Sequence, residues 1–276
     1  MERRTRVYPA ERRRSGWLSM VLLCVSAVVI AAGFLSRGSK TELQIEPVLK
    51  STPLPMEESF DETPAQQEIV LSSSEWYALQ LGAFENEAAA QELAEQYKLR
   101  GAAGYVWQDG RFRVLAAVYP LKEDAQLVRE QLAVRHDIET YLYQVKLPEI
   151  HVRLSGMQGQ LDILQAALIH ANDLVCELQQ MSLELDRQEM NVEEALETLG
   201  TLEEQVSLVS LRLNQRFSAP RHALVERLDH CFTQYGSFVL ALDARMSQAA
   251  LAAQIKHQTF TALENVKKVY DTLSDT

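Results

Sequence analysis

The apolar positions change their period along the chain, and the changes divide it. From Trp17 to Leu35 the residues carry no charge at all. At 1.5 Å rise per residue this run would span roughly 28 Å as a helix, close to the thickness of a bilayer's hydrocarbon core. It predicts a transmembrane helix over 17–35, with Trp17 at an interfacial position. The competing reading is a cleaved signal peptide. Ala31-Ala32-Gly33 offers small residues, but Phe34 and Leu35 prolong the apolar run and blur a cleavage site. Residues 36–74 hold Pro47, Pro53, Pro55 and Pro64 among frequent Glu and Ser, which predicts a disordered linker. A coil of that length reaches on the order of 35 Å.

Residues 75–147 alternate short strand-like runs with helical ones. Trp76–Leu81 has strand period, and a helix is expected from Asn86, as N-cap, to about Arg100. Tyr105–Gln108 and Arg111–Val118 read as strands joined by a two-residue Asp109-Gly110 turn. Pro120 opens a second helix to about Val134, and Glu139–Val145 reads as a last strand. The order βαββαβ predicts a four-stranded antiparallel sheet with both helices on one face.

Residues 150–274 have helical period almost throughout. Leu154, Met157, Leu161, Leu164, Leu168, Ala171, Val175, Leu178, Ser182 and Leu185 alternate spacings of three and four, a sustained heptad seam. Asn191-Val192-Glu193-Glu194 fits a capping box, and Ser218-Ala219-Pro220 is a further start signal. Short breaks between long helices favour an antiparallel bundle, and an intermolecular coiled coil is the alternative. The predicted fold class is thus α+β: one transmembrane helix, a small βαββαβ domain, and an all-α bundle or coiled coil.

Charge orients this arrangement. Residues 1–16 contain six of the 27 basic residues and only two of the 38 acidic ones, so this tail is positive and the remainder strongly acidic. The positive-inside bias places residues 1–16 in the cytoplasm and the body outside, in a single-pass protein of the cell membrane that meets lipid through residues 17–35. An acidic body repels phosphate backbones, which argues against nucleic acid as a partner. The six His are scattered, and no metal-site spacing, Gly-x-Ser-x-Gly or phosphate loop appears. Asp229-His230-Cys231 lies on one predicted helix, where adjacent residues point apart and cannot form a triad. No catalytic role, metal or cofactor is expected. Cys176 and Cys231 read as buried thiols on apolar helix faces, and an exported compartment would permit a disulfide.

Tyr77-Ala78-Leu79-Gln80-Leu81-Gly82-Ala83-Phe84, Lys98-Leu99-Arg100-Gly101, Phe112-Arg113-Val114 and Tyr119-Pro120-Leu121-Lys122-Glu123-Asp124-Ala125 together resemble the motifs of the SPOR (sporulation-related) domain, in order and spacing. The chain departs from that pattern at Ala116-Ala117-Val118-Tyr119, where the family often has V-G-P-F. The resemblance implies the same βαββαβ fold and binding of peptidoglycan glycan strands, in division or sporulation. It also implies roles for Gln80 and Arg113, which occupy motif positions.

Strand parity adds residues independently. If Tyr77, Leu79 and Leu81 face the helices, Trp76, Ala78 and Gln80 face away. Tyr105 and Trp107, and Arg111 and Arg113, follow by the same parity. If Leu142 faces inward, Tyr141 and Tyr143 face outward. The expected glycan site is therefore Gln80, Arg113, Trp107, Tyr105, Arg111 and Trp76. Sugar rings pack their C–H faces on aromatic rings, and amides and guanidinium groups bond hydroxyls. One alternative is that the helical region covers this face, which would leave a tethered scaffold whose two folded parts both bind proteins. In either case the helical region is expected to meet a protein partner or a second copy.

Overall fold

The computed structural model describes residues 63–217 and 221–274. The expected transmembrane helix at 17–35, the basic tail and the Ser218-Ala219-Pro220 start signal lie outside the described residues. Among those described, no helix is long and apolar enough to cross a membrane.

The described residues form six strands and six helices, in order: β1 Pro64–Leu71, β2 Ser74–Phe84, α1 Glu87–Lys98, β3 Tyr105–Gln108, β4 Phe112–Tyr119, α2 Lys122–His136, β5 Tyr141–Leu147, β6 Ile150–Met157, α3 Gln158–Asp186, α4 Val192–Arg216, α5 Ala223–Leu240 and α6 Gln248–Ser274. The four central strands form an antiparallel sheet in the order β3-β4-β2-β5. Asn86 caps α1, its side chain accepting from the Ala88 amide at 2.8 Å. Tyr77, Leu79, Leu81 and Leu142 pack on the α1/α2 side, as alternation requires. The βαββαβ expectation and its face assignments agree with these elements. The β3–β4 connection differs: the strands stop at Gln108 and resume at Phe112, so three residues make the turn, with Gly110 at φ 85°. Before β3 the chain passes close under α1. A Cβ at Gly104 would lie 2.6 Å from the Ala94 carbonyl oxygen, and φ there is +54°, so only glycine fits.

Two segments depart from the sequence expectation. Residues 64–71, at the end of the expected linker, are a strand, and residues 150–157, at the start of the expected heptad seam, are its partner. They pair antiparallel from Pro64 opposite Met157 to Leu71 opposite Ile150. Ile69, Leu71, Ile150 and Val152 are buried on one face, while Glu68, His151 and Arg153 face solvent. Period-2 alternation is present in both segments. In β1 the opening Pro64 obscured it, and in β6 Leu154 and Met157 happened to continue the helical spacing. The ribbon encloses the four-stranded sheet between two chain ends and packs on α3.

The four long helices form a closed bundle in which α3 adjoins α4 and α6, and α5 adjoins α4 and α6. The heptad seam holds from Leu161 onward, where every seam position to Leu185 is buried. A second row, with Ile163, Ala167, Leu174 and Met181, is buried too. Two buried rows make the stripe wider than a two-stranded seam and match an intramolecular bundle. The Asn191 capping box forms as expected: its side chain accepts from the Glu194 amide at 3.0 Å, and the Glu194 carboxylate accepts from the Asn191 amide at 2.9 Å. The Tyr235 hydroxyl donates to the Leu199 carbonyl at 2.9 Å, locking α5 to α4. Asp229 accepts from Ser210, Asn214 and Arg221. It is thus a tie between α4 and α5, with exposed His230 and buried Cys231 turned elsewhere. Cys176 and Cys231 are both free, and Cys176 is exposed on α3 rather than buried as expected.

α4 and α5 bury narrow stripes, whereas α6 buries a wider arc. Lys268 and Asp271 mark its solvent side. One flank of α6 meets the bundle and another meets β4. The molecule is layered: α1 and α2, the sheet, α3 and α6, then α4 and α5.

Candidate functional site

The face of the sheet that parity predicts to be open is divided in two. Trp76, Ala78, Tyr105, Trp107, Leu115, Val118 and Val145 all point to it, and all belong to the same continuous core as α3 and α6. Trp76 is 6 % exposed, Trp107 4 % and Tyr105 9 %. The Tyr105 ring stacks on Phe260 at 5.4 Å and meets the edge of His257 at 5.0 Å. Its hydroxyl donates to the Glu264 carboxylate. Burial first, and then that bond, push the phenol far above its ordinary pKa. His257 Nδ1 lies 3.0 Å from the Ala103 carbonyl, and Lys256 Nζ donates to the Gly101 carbonyl at 2.9 Å. Three of the six expected glycan residues, Trp76, Tyr105 and Trp107, are therefore covered by the bundle. The expectation of an open aromatic platform is overturned for these three. Their outward direction was correct, but α6 supplies the apolar surface that a ligand would otherwise have supplied.

The other end of the same face remains accessible. Arg113 donates to Gln80 Oε1 at 2.9 Å and to Asp109 Oδ1 at 2.7 Å. Its guanidinium lies over the Tyr143 ring, 4.8 Å from the centroid. The Tyr143 hydroxyl donates to Asp109 Oδ2 at 2.7 Å. Tyr141, opposite Gln80 in the register, is 60 % exposed, and Arg111 in the turn is exposed as well. Asp109 is held below the ordinary carboxylate range: burial pushes its pKa up, but bonds from Tyr143 and Arg113 outweigh it. Burial first, and then the bond to Asp109, push Tyr143 up to about 12. Both groups hold one protonation state through the neutral range.

Strand geometry accounts for this cluster. Gln80 sits between two register shifts in the β2–β4 pairing, one on either side. Such bulges re-aim side chains locally. Arg113 lies two residues from Leu115, the register partner of Gln80, so Gln80 and Arg113 are diagonal neighbours on one face. Of the expected residues the structure assembles Gln80 and Arg113 directly, leaves Arg111 beside them, and seals the three aromatics away. The sequence pattern marks Asp109 only as a turn former. The signal that could have found it is an acid four residues before an Arg already assigned to the site.

Among the described residues, no group of three or more His, Cys, Asp or Glu side chains could hold a metal ion. The arrangement offers donors, acceptors and ring faces on a fixed scaffold, which is the chemistry of a binding module. The comparisons with known proteins fit that class. The family model described as the SPOR domain matches residues 73–144, so the chain carries a SPOR domain over β2 to β5. This is a family of binding domains, and the match spans well under half of the chain. Searches of curated proteins and of solved structures returned no significant match.

Proposed function

We propose that the chain binds peptidoglycan glycan strands at the accessible end of its SPOR sheet, through Gln80, Arg111 and Arg113 flanked by Tyr141 and Tyr143. The observation that carries this reading is the Arg113–Gln80 pair held at solvent on the bulged strands. Arg113 is offset by Asp109 at 2.7 Å, so the cluster suits uncharged sugar hydroxyls and N-acetyl groups more than a dense array of carboxylates. Rings at Tyr141 and Tyr143 supply flat faces for sugar C–H groups. In this reading residues 17–35 tether the protein to the cell membrane, the folded body stands outside the cytoplasm, and the work is done at sites of division or sporulation.

A second reading has its own observation. With Trp76, Tyr105 and Trp107 in the core, the SPOR fold serves as one wall of a scaffold that binds proteins and no glycan. Co-sedimentation of the protein with purified peptidoglycan, with and without amidase treatment, separates the two. The glycan reading expects saturable pelleting that rises after stem peptides are removed and falls at least tenfold in Arg113→Ala. Absence of pelleting by the native protein leaves the scaffold.

A further inference from the structure

On the opposite side of the sheet from the bundle-covered face, α1 and α2 do not close over the strands. α1 rests on β4, β2 and β3, and α2 rests on β2, β4 and β5. Between them lies a cavity of about 580 Å³, within the range of small-molecule sites. Its floor is apolar, with Leu79 and Leu81 of β2 and Ala116 and Ala117 of β4. The two alanines are adjacent in sequence, yet both line it, and the strand register gives the reason. From Ala78 opposite Val118 to Gln80 opposite Leu115, the pairing advances two residues on β2 and three on β4. β4 holds one extra residue here, a bulge that breaks the alternation of faces. No side chain larger than a methyl group rises from β4 at this point, which makes the floor deep. The far end is formed by the bundle, where α3 ends and α6 begins.

The lining carries three cations, Arg100, Arg187 and Lys256, and three carboxylates, Asp124, Asp186 and Glu189. Two of each sign answer one another. Lys256 pairs with Asp186 at 2.7 Å, and Arg187 lies 4.0 Å from Glu189. Arg100 and Asp124 have no ion-pair partner among the described residues. The Arg100 guanidinium lies over the Tyr97 ring of α1, 5.1 Å from its centroid, and Asp124 lies in the first turn of α2. The two helices flanking the cavity thus present one uncommitted charge of each sign.

Uncharged polar groups are uncommitted too. Tyr119 is 6 % exposed and lines the cavity, and its hydroxyl bonds to no described residue. Burial first, and then the Asp186 and Asp124 carboxylates, raise its pKa, while Arg187 lowers it. The phenol therefore keeps its proton and remains a donor. A buried hydroxyl without a partner is unfavourable until something bonds to it. Gln131 and Gln188 line the same space, also without a partner among the described residues. A side-chain amide offers a donor and an acceptor together, the complement of a peptide group.

We propose that this cavity binds a short apolar peptide with free termini, its carboxylate at Arg100, its ammonium at Asp124, its side chains over Leu79, Ala116 and Ala117, and its peptide group bonded by Tyr119 and the two Gln amides. The site lies on the opposite face from the Gln80–Arg113 cluster and stands independently of the glycan reading. The test is equilibrium dialysis of radiolabelled Leu-Leu dipeptide against the full chain in phosphatidylcholine nanodiscs, with empty nanodiscs as the blank. Saturable uptake of one equivalent per chain above the blank is expected. Blocking either end, as N-acetyl-Leu-Leu or as Leu-Leu amide, should weaken binding about tenfold or more, since each block removes a charge-assisted contact. The two variants assign the ends. In Arg100→Gln, Leu-Leu and its amide should bind alike, while acetylation still costs its tenfold. In Asp124→Asn, Leu-Leu and its N-acetyl form should bind alike, while amidation still costs its tenfold. Both positions are exposed, so these substitutions leave the fold intact. Ala117→Leu fills the floor and should reduce binding of Leu-Leu by a similar factor. No saturable uptake by the native protein, equal binding of the free and blocked dipeptides, or blocking penalties unchanged in Arg100→Gln and Asp124→Asn overturns the proposal. So does undiminished binding by an Ala117→Leu protein whose circular dichroism matches the native one.

Discussion

The two ends of one sheet face have opposite fates, although strand parity treats them alike. At one end Trp76, Tyr105 and Trp107 are buried beneath α6, with Phe260 stacked on Tyr105. At the other, Gln80, Arg111 and Arg113 stay at solvent beside Tyr141. The difference is one of free energy per side chain. Burying a large apolar side chain contributes roughly 1.5–3 kcal/mol. Six of them, Trp76, Tyr105, Trp107, Leu115, Val118 and Val145, contribute on the order of 10 kcal/mol, about as much as the net stability of a whole domain. An end that rich in apolar surface recruits a permanent cover from its own chain. The polar end gains nothing comparable and stays open. An aromatic-rich sheet face therefore identifies a surface that wants a partner, without saying whether the partner is a ligand or another helix.

The strongest way to break this comparison is to attack the sealed end. Phe260→Ala removes a ring that is 0 % exposed and faces Tyr105. A loss of about 3–5 kcal/mol is expected, as for large buried aromatics generally. Because sheet and bundle share one core, helix loss followed by circular dichroism should coincide with the fluorescence change of Trp76 and Trp107 in denaturant. Two separated transitions would mean that the cover is an independent unit and that the seal is not integral to the fold.

Arg113→Ala tests the open end and should give the reverse profile. Arg113 is about a quarter exposed, and its bonds are to partly exposed groups. The expected stability change is under about 1 kcal/mol, while peptidoglycan pelleting falls at least tenfold. A variant that loses stability as heavily as Phe260→Ala would show that Gln80, Arg113 and Asp109 are a structural knot rather than a binding surface.

How much of this was legible follows the same division. Short-range pattern carried the βαββαβ order, the Asn86 and Asn191 caps and the direction of every sheet residue in the expected site, because these depend on period and on neighbours in sequence. The cover over Tyr105 did not, because Phe260 and Glu264 lie more than 150 residues away and look like ordinary bundle positions. Nothing in α6 set it apart: Lys256, His257, Glu264, Lys267, Lys268 and Asp271 give it the polar positions of an ordinary bundle helix. The β1–β6 ribbon was lost for a related reason. Each strand alone is short and weakly patterned, and only their pairing across the whole SPOR unit makes Ile69 and Val152 core residues. The Gln80–Arg113 contact joins diagonal neighbours on one sheet face, where parity already placed both.

A subtler probe of the seal is Tyr105→Phe, which keeps the ring and removes one hydroxyl donated to Glu264. Glu264 keeps Lys268 at 3.2 Å as a partner, so its charge is not stranded. The expected cost is about 1 kcal/mol, read as a shift in the denaturant midpoint without a change in slope. A cost near that of Phe260→Ala would mean that the hydroxyl, not ring packing, holds the cover in place.

The smallest effect concerns acid. His257 sits within the seal, against Tyr105 and the Ala103 carbonyl. Burial lowers its pKa below the usual histidine value, and Lys98 lowers it further, against opposing contributions from the Ala103 carbonyl and Glu95. The folded protein therefore holds this imidazole neutral at a pH where the unfolded chain, near 6.5, already takes up a proton. The unfolded state binds more protons in that interval, so stability from this group is complete above about pH 6.5 and declines as pH falls toward the depressed folded value. Each unit of pKa difference corresponds to about 1.4 kcal/mol at most. His170, also lowered by burial, and the carboxylates titrate in parallel, so the informative quantity is a difference. Unfolding midpoints of the native protein and of His257→Gln, measured from pH 7.5 to 5.0, should converge as pH falls, because Gln cannot be protonated and the native protein alone loses this contribution. Parallel curves over the whole range would show that His257 titrates alike in both states, and that the seal around it admits water freely.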